Sequence, residues 1–348
     1  MTARSLLGAV GAIALIAIAG AASARHAPAA ADYSVIARHQ IGGAGGWDYL
    51  TVDTAGHRLF VTRTDRVSAI DLRTGTVVAE VPGLNRGHGV AFDYAHHHGF
   101  ASSGADSTVV MFDLGTMKEI GRTIAAVDDD AILFEPVTRQ IFTFNGDANN
   151  ATVIETAHGK RVGSIPLGGK PEFGVTDGHG TIWVNITDKG EIAQVDARHR
   201  RVTRRWSIAP CEHPSGLAID VTHSRLFSVC GNKLMAVSDT RRGRLVTTVP
   251  IGAGVDAAGF DPSTGNAFAS NGEGTLTVVH EETPDRYSVV QTLATMSGAR
   301  TMTIDPATHR LYTVGAQFGP VPAAATTDNP RRRAPIVAGS VTVLEIAH

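Results

Sequence analysis

The chain has no surplus of either charge: 31 Lys and Arg stand against 33 Asp and Glu in 348 residues. A nucleic-acid backbone is gripped by clustered basic groups that release its counterions, so this balance excludes DNA or RNA as an expected partner. Cysteine is scarce, with Cys211 and Cys230 the two examples, and their spacing is not the C-x-x-C of zinc or redox sites. A C-x-x-C-H haem motif, a G-x-S-x-G nucleophile elbow and a glycine-rich phosphate loop leading from strand to helix are all missing. Their absence removes covalent haem, a serine hydrolase of the elbow type and a P-loop enzyme from consideration. The three tryptophans, Trp47, Trp183 and Trp206, recur at no common repeat position, which argues against a quinoprotein blade pattern. With 43% hydrophobic and 18% charged residues, the chain is neither disordered nor a coiled coil.

What is abundant is glycine, at 38 residues. That is about 11%, against an average near 7%, and frequent turns imply short strands. The N-terminus has its own pattern. Arg4 precedes an apolar run from Leu6 to Ala19, and Ala22-Ser23-Ala24 follows. A charged start, a short apolar centre and an A-x-A end make a secretory signal peptide over residues 1–24, cleaved after Ala24. The run is short of the roughly 20 residues needed to span a bilayer. Residues 25–32 read as a loose leader, and no later stretch is long and apolar enough to cross a membrane. The mature chain is therefore expected to be periplasmic or secreted, and soluble. In that oxidising compartment Cys211 and Cys230 are expected to pair as a disulfide.

Over residues 33–348 one unit repeats seven times. Each copy opens on an apolar strand ending in an acid, at Asp53, Asp93, Glu135, Asp177, Asp220, Asp261 and Asp305, 40 to 44 residues apart. A short turn follows, then a strand carrying an aromatic: Phe60, Phe100, Phe142, Trp183, Phe227, Phe268 and Tyr312. Third and fourth apolar strands complete each unit. Four short strands in about 42 residues make a propeller blade, so the fold class is all-β, a seven-bladed β-propeller. The last unit ends after its third strand, and the run from Ser34 to Ile41 is expected to supply the missing fourth.

The second-strand segments Phe60-Val61-Thr62-Arg63, Phe142-Thr143-Phe144-Asn145, Phe268-Ala269-Ser270-Asn271 and Tyr312-Thr313-Val314-Gly315 resemble the Tyr-Val-Thr-Asn motif of YVTN-type propeller repeats. Thr74-Gly75 and Gly159-Lys160 fit the turn between third and fourth strands in that family. With its signal peptide, the chain is similar to exported YncE-like proteins. The resemblance implies the propeller fold and export. Its broader relatives include lactone-hydrolysing, lyase and electron-transfer propellers.

In a propeller the inner strand of each blade lines the central channel, and ligands enter at the start of those strands. Five residues before each repeat acid stand Asp48, His88, Asp130, Glu172, Ser215, Asp256 and Arg300. Six of the seven are ionisable, and core packing would not choose such a set, because buried charge is costly unless paired or bound. With every carboxylate and Arg300 ionised and His88 neutral, the ring carries −3. Rim loops on the same face bring Asn145 and Asn271 as further ligand-binding candidates, and Arg63, Glu212 and His213 beside them. The segment 315–339, with four prolines and Arg331-Arg332-Arg333, is long enough to act as a lid. His96-His97-His98 lies in a turn on the opposite face, and Asp128-Asp129-Asp130 lacks the spacing of a calcium loop.

Three functions follow. The first is a monomeric periplasmic protein binding a small cationic or metal-bridged ligand through Asp48, His88, Asp130, Glu172, Asp256 and Arg300. The second is a hydrolase or lyase with Ca²⁺, Mg²⁺ or Mn²⁺ on Asp48, Asp130, Glu172 and Asp256, and His88 or His213 as general base. The third is an envelope scaffold that binds other proteins through its blade rims.

Overall fold

The computed structural model describes residues 1–2, 32–325 and 332–348. Most of the expected signal peptide and leader, its cleavage site, and residues 326–331 of the expected lid lie outside the described residues. The described chain forms seven four-stranded antiparallel sheets, each built from consecutive strands except the last. Blade one is representative, with strands Trp47–Asp53, Arg58–Arg63, Arg66–Asp71 and Thr76–Pro82 running outward from the axis. The inner strands of the following blades are Gly87–Asp93, Asp129–Glu135, Pro171–Thr176, Pro214–Asp220, Val255–Asp261 and Met302–Ile304. Second and third strands are covered on both faces by neighbouring blades, which is why they read as continuous apolar runs. The outermost strands alternate or face water, as in Glu119–Ile124. Among the described residues no helix is long and apolar enough to cross a membrane.

The repeat acids and aromatics have separate tasks. Six of the seven aromatics are no more than 2% exposed or fully buried, with Trp183 at 6%, and they fill the space between adjacent sheets. The acids cap the turn behind each inner strand. Asp53 accepts from the Gly56 amide at 2.9 Å, Glu135 from Thr138 at 2.7 Å and Asp305 from Ala307 at 3.0 Å. A carboxylate that binds its own backbone two or three residues on fixes a tight turn. The turn needs that hold, because its last residue is left-handed even where it is not glycine, as at His57, His97, Arg139 and His309.

Ring closure follows the expected route. Ser34–Gln40 pairs with Thr342–Ala347, from Ser34 opposite Ala347 to Gln40 opposite Thr342, and completes blade seven. Tyr33 anchors this strand from its N-terminal side. Its ring meets Phe268 edge-on at 5.2 Å, its amide donates to Gln291 Oε1 at 3.0 Å, and its carbonyl accepts from Gln291 Nε2 at 2.8 Å. The Cys211–Cys230 disulfide is formed, with Cα atoms 5.4 Å apart, and ties the loop entering blade five to the end of that blade's second strand.

Tyr33 is 2% exposed and packs with Phe268, Met302, Leu311 and Ile346, so it clamps blades six and seven together. Tyr33→Ala is expected to cost about 3 kcal/mol in urea unfolding, as for other buried aromatics. A loss below about 0.5 kcal/mol would show that closure does not depend on this anchor.

Candidate functional site

Six inner strands carry one extra residue close to their start. In blade one Trp47 is opposite Arg63 and Leu50 opposite Val61, so three steps on the inner strand answer two on its neighbour. The same shift falls between Gly87 and Val90, Asp129 and Ile132, Pro171 and Gly174, Pro214 and Leu217, and Val255 and Ala257. Each bulge contains the ring residue, from Asp48 to Asp256. A bulge releases one residue from ladder pairing and re-aims its side chain, here toward the axis. The freed carbonyls are taken up by polar residues of the preceding blade. Ser102 donates to Asp130 O at 2.5 Å, Asn185 to Ser215 O at 2.8 Å, and Thr301 to Asp48 O at 2.8 Å.

Directly beneath the ring the inner strands contribute Tyr49, Gly89, Ala131, Phe173, Gly216, Ala257 and Thr301. Small residues at five of these positions leave room for two aromatics to cross the axis. Gly216 is obligatory for a second reason, the close approach of the next blade, since a Cβ there would stand 2.6 Å from the Ala257 backbone. Tyr49 of blade one therefore reaches Phe173 of blade four, ring centroids 5.0 Å apart, and closes the channel under the ring. Tyr49 was not among the residues expected from sequence. Its signal is an aromatic in a layer otherwise made mostly of small side chains.

Above this floor lies a cavity of about 850 Å³ lined by Asp48, His88, Asp130, Glu172, Asp256 and Arg300, six of the seven ring residues. Trp47, Thr64 and Arg86 add to its wall, and so do Phe318, Arg333, Ala334 and Ile336 from the 315–339 segment. That segment is folded back at its base, with Gly319 N donating to Pro335 O and Val337 N to Gln317 O, both at 2.8 Å. Phe318 stands 6.3 Å from Trp47 across the cavity mouth.

Ion pairs run through five of the ring residues, with Asp48 shared by His88 and Arg300. His88 Nδ1 is 2.5 Å from Asp48 Oδ2 and 3.1 Å from Asp130 Oδ1, while Arg300 Nε donates to Asp256 Oδ2 at 2.7 Å and its Nη2 lies 3.7 Å from Asp48. Burial pulls the His88 imidazole down, but the Asp48 hydrogen bond and the two carboxylate charges outweigh it and lift it to about 9. Burial, and then the charges of neighbouring carboxylates, raise Glu172 to about 8. Burial raises Asp130 to about 7 against the pull of His88, and Asp256 to about 6 against that of Arg300. Burial also pushes the Tyr49 phenol well above its ordinary value. At neutral pH the ring thus holds a proton on His88 and most of one on Glu172, and its charge is far less negative than the −3 read from sequence.

Several candidates change role or drop out. His88 is an imidazolium between two carboxylates, which makes it a proton donor and not the general base expected of it. Its Nε2 is buried beside Gly104 without a hydrogen-bond partner. His213 is exposed on the disulfide loop and does not line the cavity. Asn145 and Asn271 are fully buried within their own hairpins. The first donates to Asn150 Oδ1 at 2.7 Å and the second to Thr275 and Thr277 at 3.0 Å, so both tie second strand to third. Arg63 is likewise inward, capping the carbonyls of Gly42, Ala44, Gly45 and Gly46 in the loop that leads to Asp48. Of the four carboxylates expected to ligate a metal, Asp48 and Asp130 converge with His88, one ligand atom of each within 4.8 Å of the others. Glu172 and Asp256 stand outside that group. Two oxygens and an imidazole nitrogen fit Mn²⁺ better than Ca²⁺ or Mg²⁺, which take oxygen.

No model of a known protein family and no curated protein matches the chain. Solved structures do. A chain of hydrazine synthase from Kuenenia stuttgartiensis superposes with a TM-score of 0.70 at 15% identity, over 86% of this chain and 97% of that one. U3-55K superposes with a TM-score of 0.72 at 8% identity, over 88% and 97%. At these identities the likeness shows the seven-bladed propeller and nothing of its chemistry.

The four ring shifts share one sign. His88 contributes stability that is complete below its unfolded value of 6.5 and lost as the pH rises through about 9. Asp130, Glu172 and Asp256 hold protons in the folded state that the unfolded chain has already released, so they too cost stability as the pH rises through 6 to 8. The melting temperature in chelator is expected to fall steadily between pH 5 and 9, and less steeply in Glu172→Gln. A flat or rising wild-type profile would contradict a proton-holding ring.

Proposed function

We propose that the chain is an exported propeller of the YVTN type, YncE-like, whose channel mouth binds a small cationic or metal-bridged ligand. The observation that carries this reading is the cavity itself: four carboxylates converge above an aromatic floor in a space of about 850 Å³, with His88 and Arg300 the ring's two basic members. A cation entering there replaces protons held at Glu172 and Asp130, and Trp47 and Phe318 give its apolar parts a surface. Asp48, His88 and Asp130 are the residues that would hold a divalent ion. The 315–339 segment, four of whose residues line the cavity, acts as its lid. The disulfide and the signal-like N-terminus both suit an oxidising compartment. Closure of the ring by its own N-terminal strand leaves the fold complete as a monomer.

A second reading, a metal-dependent hydrolase or lyase, is favoured by the placing of two acids in one cavity, where burial raises Asp130 to about 7 and Glu172 to about 8. A bound divalent ion supplies polarisation of a lactone or ester carbonyl. Glu172 would give up its proton beside the ion's charge, and the freed carboxylate would then take the proton of the attacking water, in place of His88 and His213 as the base.

Mn²⁺ binding to the chelator-stripped full chain, beside Asp48→Asn/Asp130→Asn, tests the first reading. The variant is expected to bind one ion fewer per chain. Equal counts would remove the metal-bridged form and leave an organic cation as the ligand. Chelator-sensitive turnover on a panel of lactones, lost in Glu172→Gln, would establish the enzyme; no turnover by the Mn²⁺-loaded wild type would dismiss it.

A further inference from the structure

The hairpin formed by the last two strands of blade six is longer than its counterparts. Its strands, Thr275–Thr283 and Arg286–Ala294, have nine residues each, against six or seven in the corresponding strands of blades one to five. The added length carries the tip over blade five, on the face opposite the cavity. There Arg225 Nε donates to Pro284 O at 2.6 Å and its Nη2 to Asp285 Oδ1 at 2.9 Å, and Tyr287 packs edge-on against Phe227 at 5.8 Å. This overhang brings Glu281 of blade six against the turn that follows Asp220 of blade five.

The result is a three-residue cluster across the blade boundary. His223 Nδ1 lies 2.7 Å from Asp220 Oδ2 and 2.9 Å from Glu281 Oε1. One ligand atom from each residue falls within 4.8 Å of the other two. The carboxylates are buried, with side chains 2% and 4% exposed, while the imidazole is 49% exposed. Apart from that His223 contact, neither oxygen of Glu281 has a hydrogen-bond partner. A single proton on Nδ1 does not satisfy two buried carboxylates, and an uncompensated buried charge is expensive. Arg225 is committed elsewhere, to Pro284 O, Asp285, the carbonyls of His223 and Ser224, and Asp239 at 3.5 Å.

Blade two supplies an internal control. Its turn repeats the Asp-x-x-His arrangement, with His96 Nδ1 2.7 Å from Asp93 Oδ2. There the next blade contributes a cation, Arg139, whose Nη2 is 3.6 Å from the same carboxylate. In blade five the next blade contributes from its third strand a group of the opposite sign, Glu281.

We infer that Asp220, His223 and Glu281 form a divalent transition-metal site that joins blade five to blade six. Two carboxylate oxygens and an imidazole nitrogen are the donor set of ions such as Zn²⁺ and Mn²⁺, not of Ca²⁺ or Mg²⁺. The half-exposed imidazole leaves the outer side of the ion to water. This site is independent of the channel mouth, shares no residue with it, and stands or falls separately.

The test is Zn²⁺ titration of the chelator-stripped full chain, read by equilibrium dialysis with metal analysis and by melting temperature. Wild type and Asp130→Asn are both expected to bind an ion at this site and to melt higher with Zn²⁺ than without. Glu281→Gln, which keeps the side-chain shape, is expected to lose one ion per chain and the Zn²⁺-dependent rise. His223→Ala, on an exposed side chain, is expected to do the same and covers the case in which Glu281→Gln fails to fold. Full binding and an unchanged rise in either variant would overturn the assignment, as would a wild type whose ions are all removed by Asp130→Asn.

Discussion

Pairing of Ser34–Gln40 with Thr342–Ala347 is the contact on which the rest depends. Seven sheets joined only in sequence order would leave blade seven with an open edge and no fixed relation to blade one. Once the first strand is zipped onto the last, every inner strand points its start at one axis. Ring residues drawn from positions 48 to 300 then become neighbours, and Thr301 of blade seven can hold the carbonyl of Asp48 in blade one. Tyr33 and the inter-blade aromatics supply the apolar burial that holds the closed form against the chain entropy it costs.

Closure also creates the electrostatic problem that defines the site. Bulges turn Asp48, Asp130, Glu172 and Asp256 toward one axis above Tyr49 and Phe173, where the carboxyl groups are largely buried and like charges face one another. The ring responds in two ways. It recruits His88 and Arg300 as internal counter-ions, and it keeps protons on carboxyl groups that would release them in water. Both compensations depend on pH, and neutral pH lies within the ring's titration range.

Legibility in the sequence followed periodicity. The acid, the aromatic and the inner-strand start repeat every 40 to 44 residues, so blade number, strand order, the closing strand and the ring positions could all be counted along the chain. Tyr49 stands out as an aromatic in its layer, but its contact with Phe173 was not legible, since that partner lies three blades away. Nor were the inward turns of Asn145 and Asn271, which lie at the rim of the channel mouth but bond within their hairpins. His88 is legible as a ring member but its charge is not, because its protonation depends on Asp48 and Asp130, each about 40 residues distant.

The sequence by itself determined the architecture, since short-range patterning of apolar strands, turn-capping acids and spacing aromatics is enough to specify seven equivalent blades and their order. It also determined which residue types meet at the axis. Only the tertiary structure decided how those residues share charge. Proton affinity, ion pairing and metal-ligand geometry depend on distances of a few ångströms between blades, and on burial that exists only in the closed ring. The overhanging blade-six hairpin makes the same point on the other face. The extra length is written in the chain, but the meeting of Glu281 with Asp220 and His223 is made by the packing of one blade against the next.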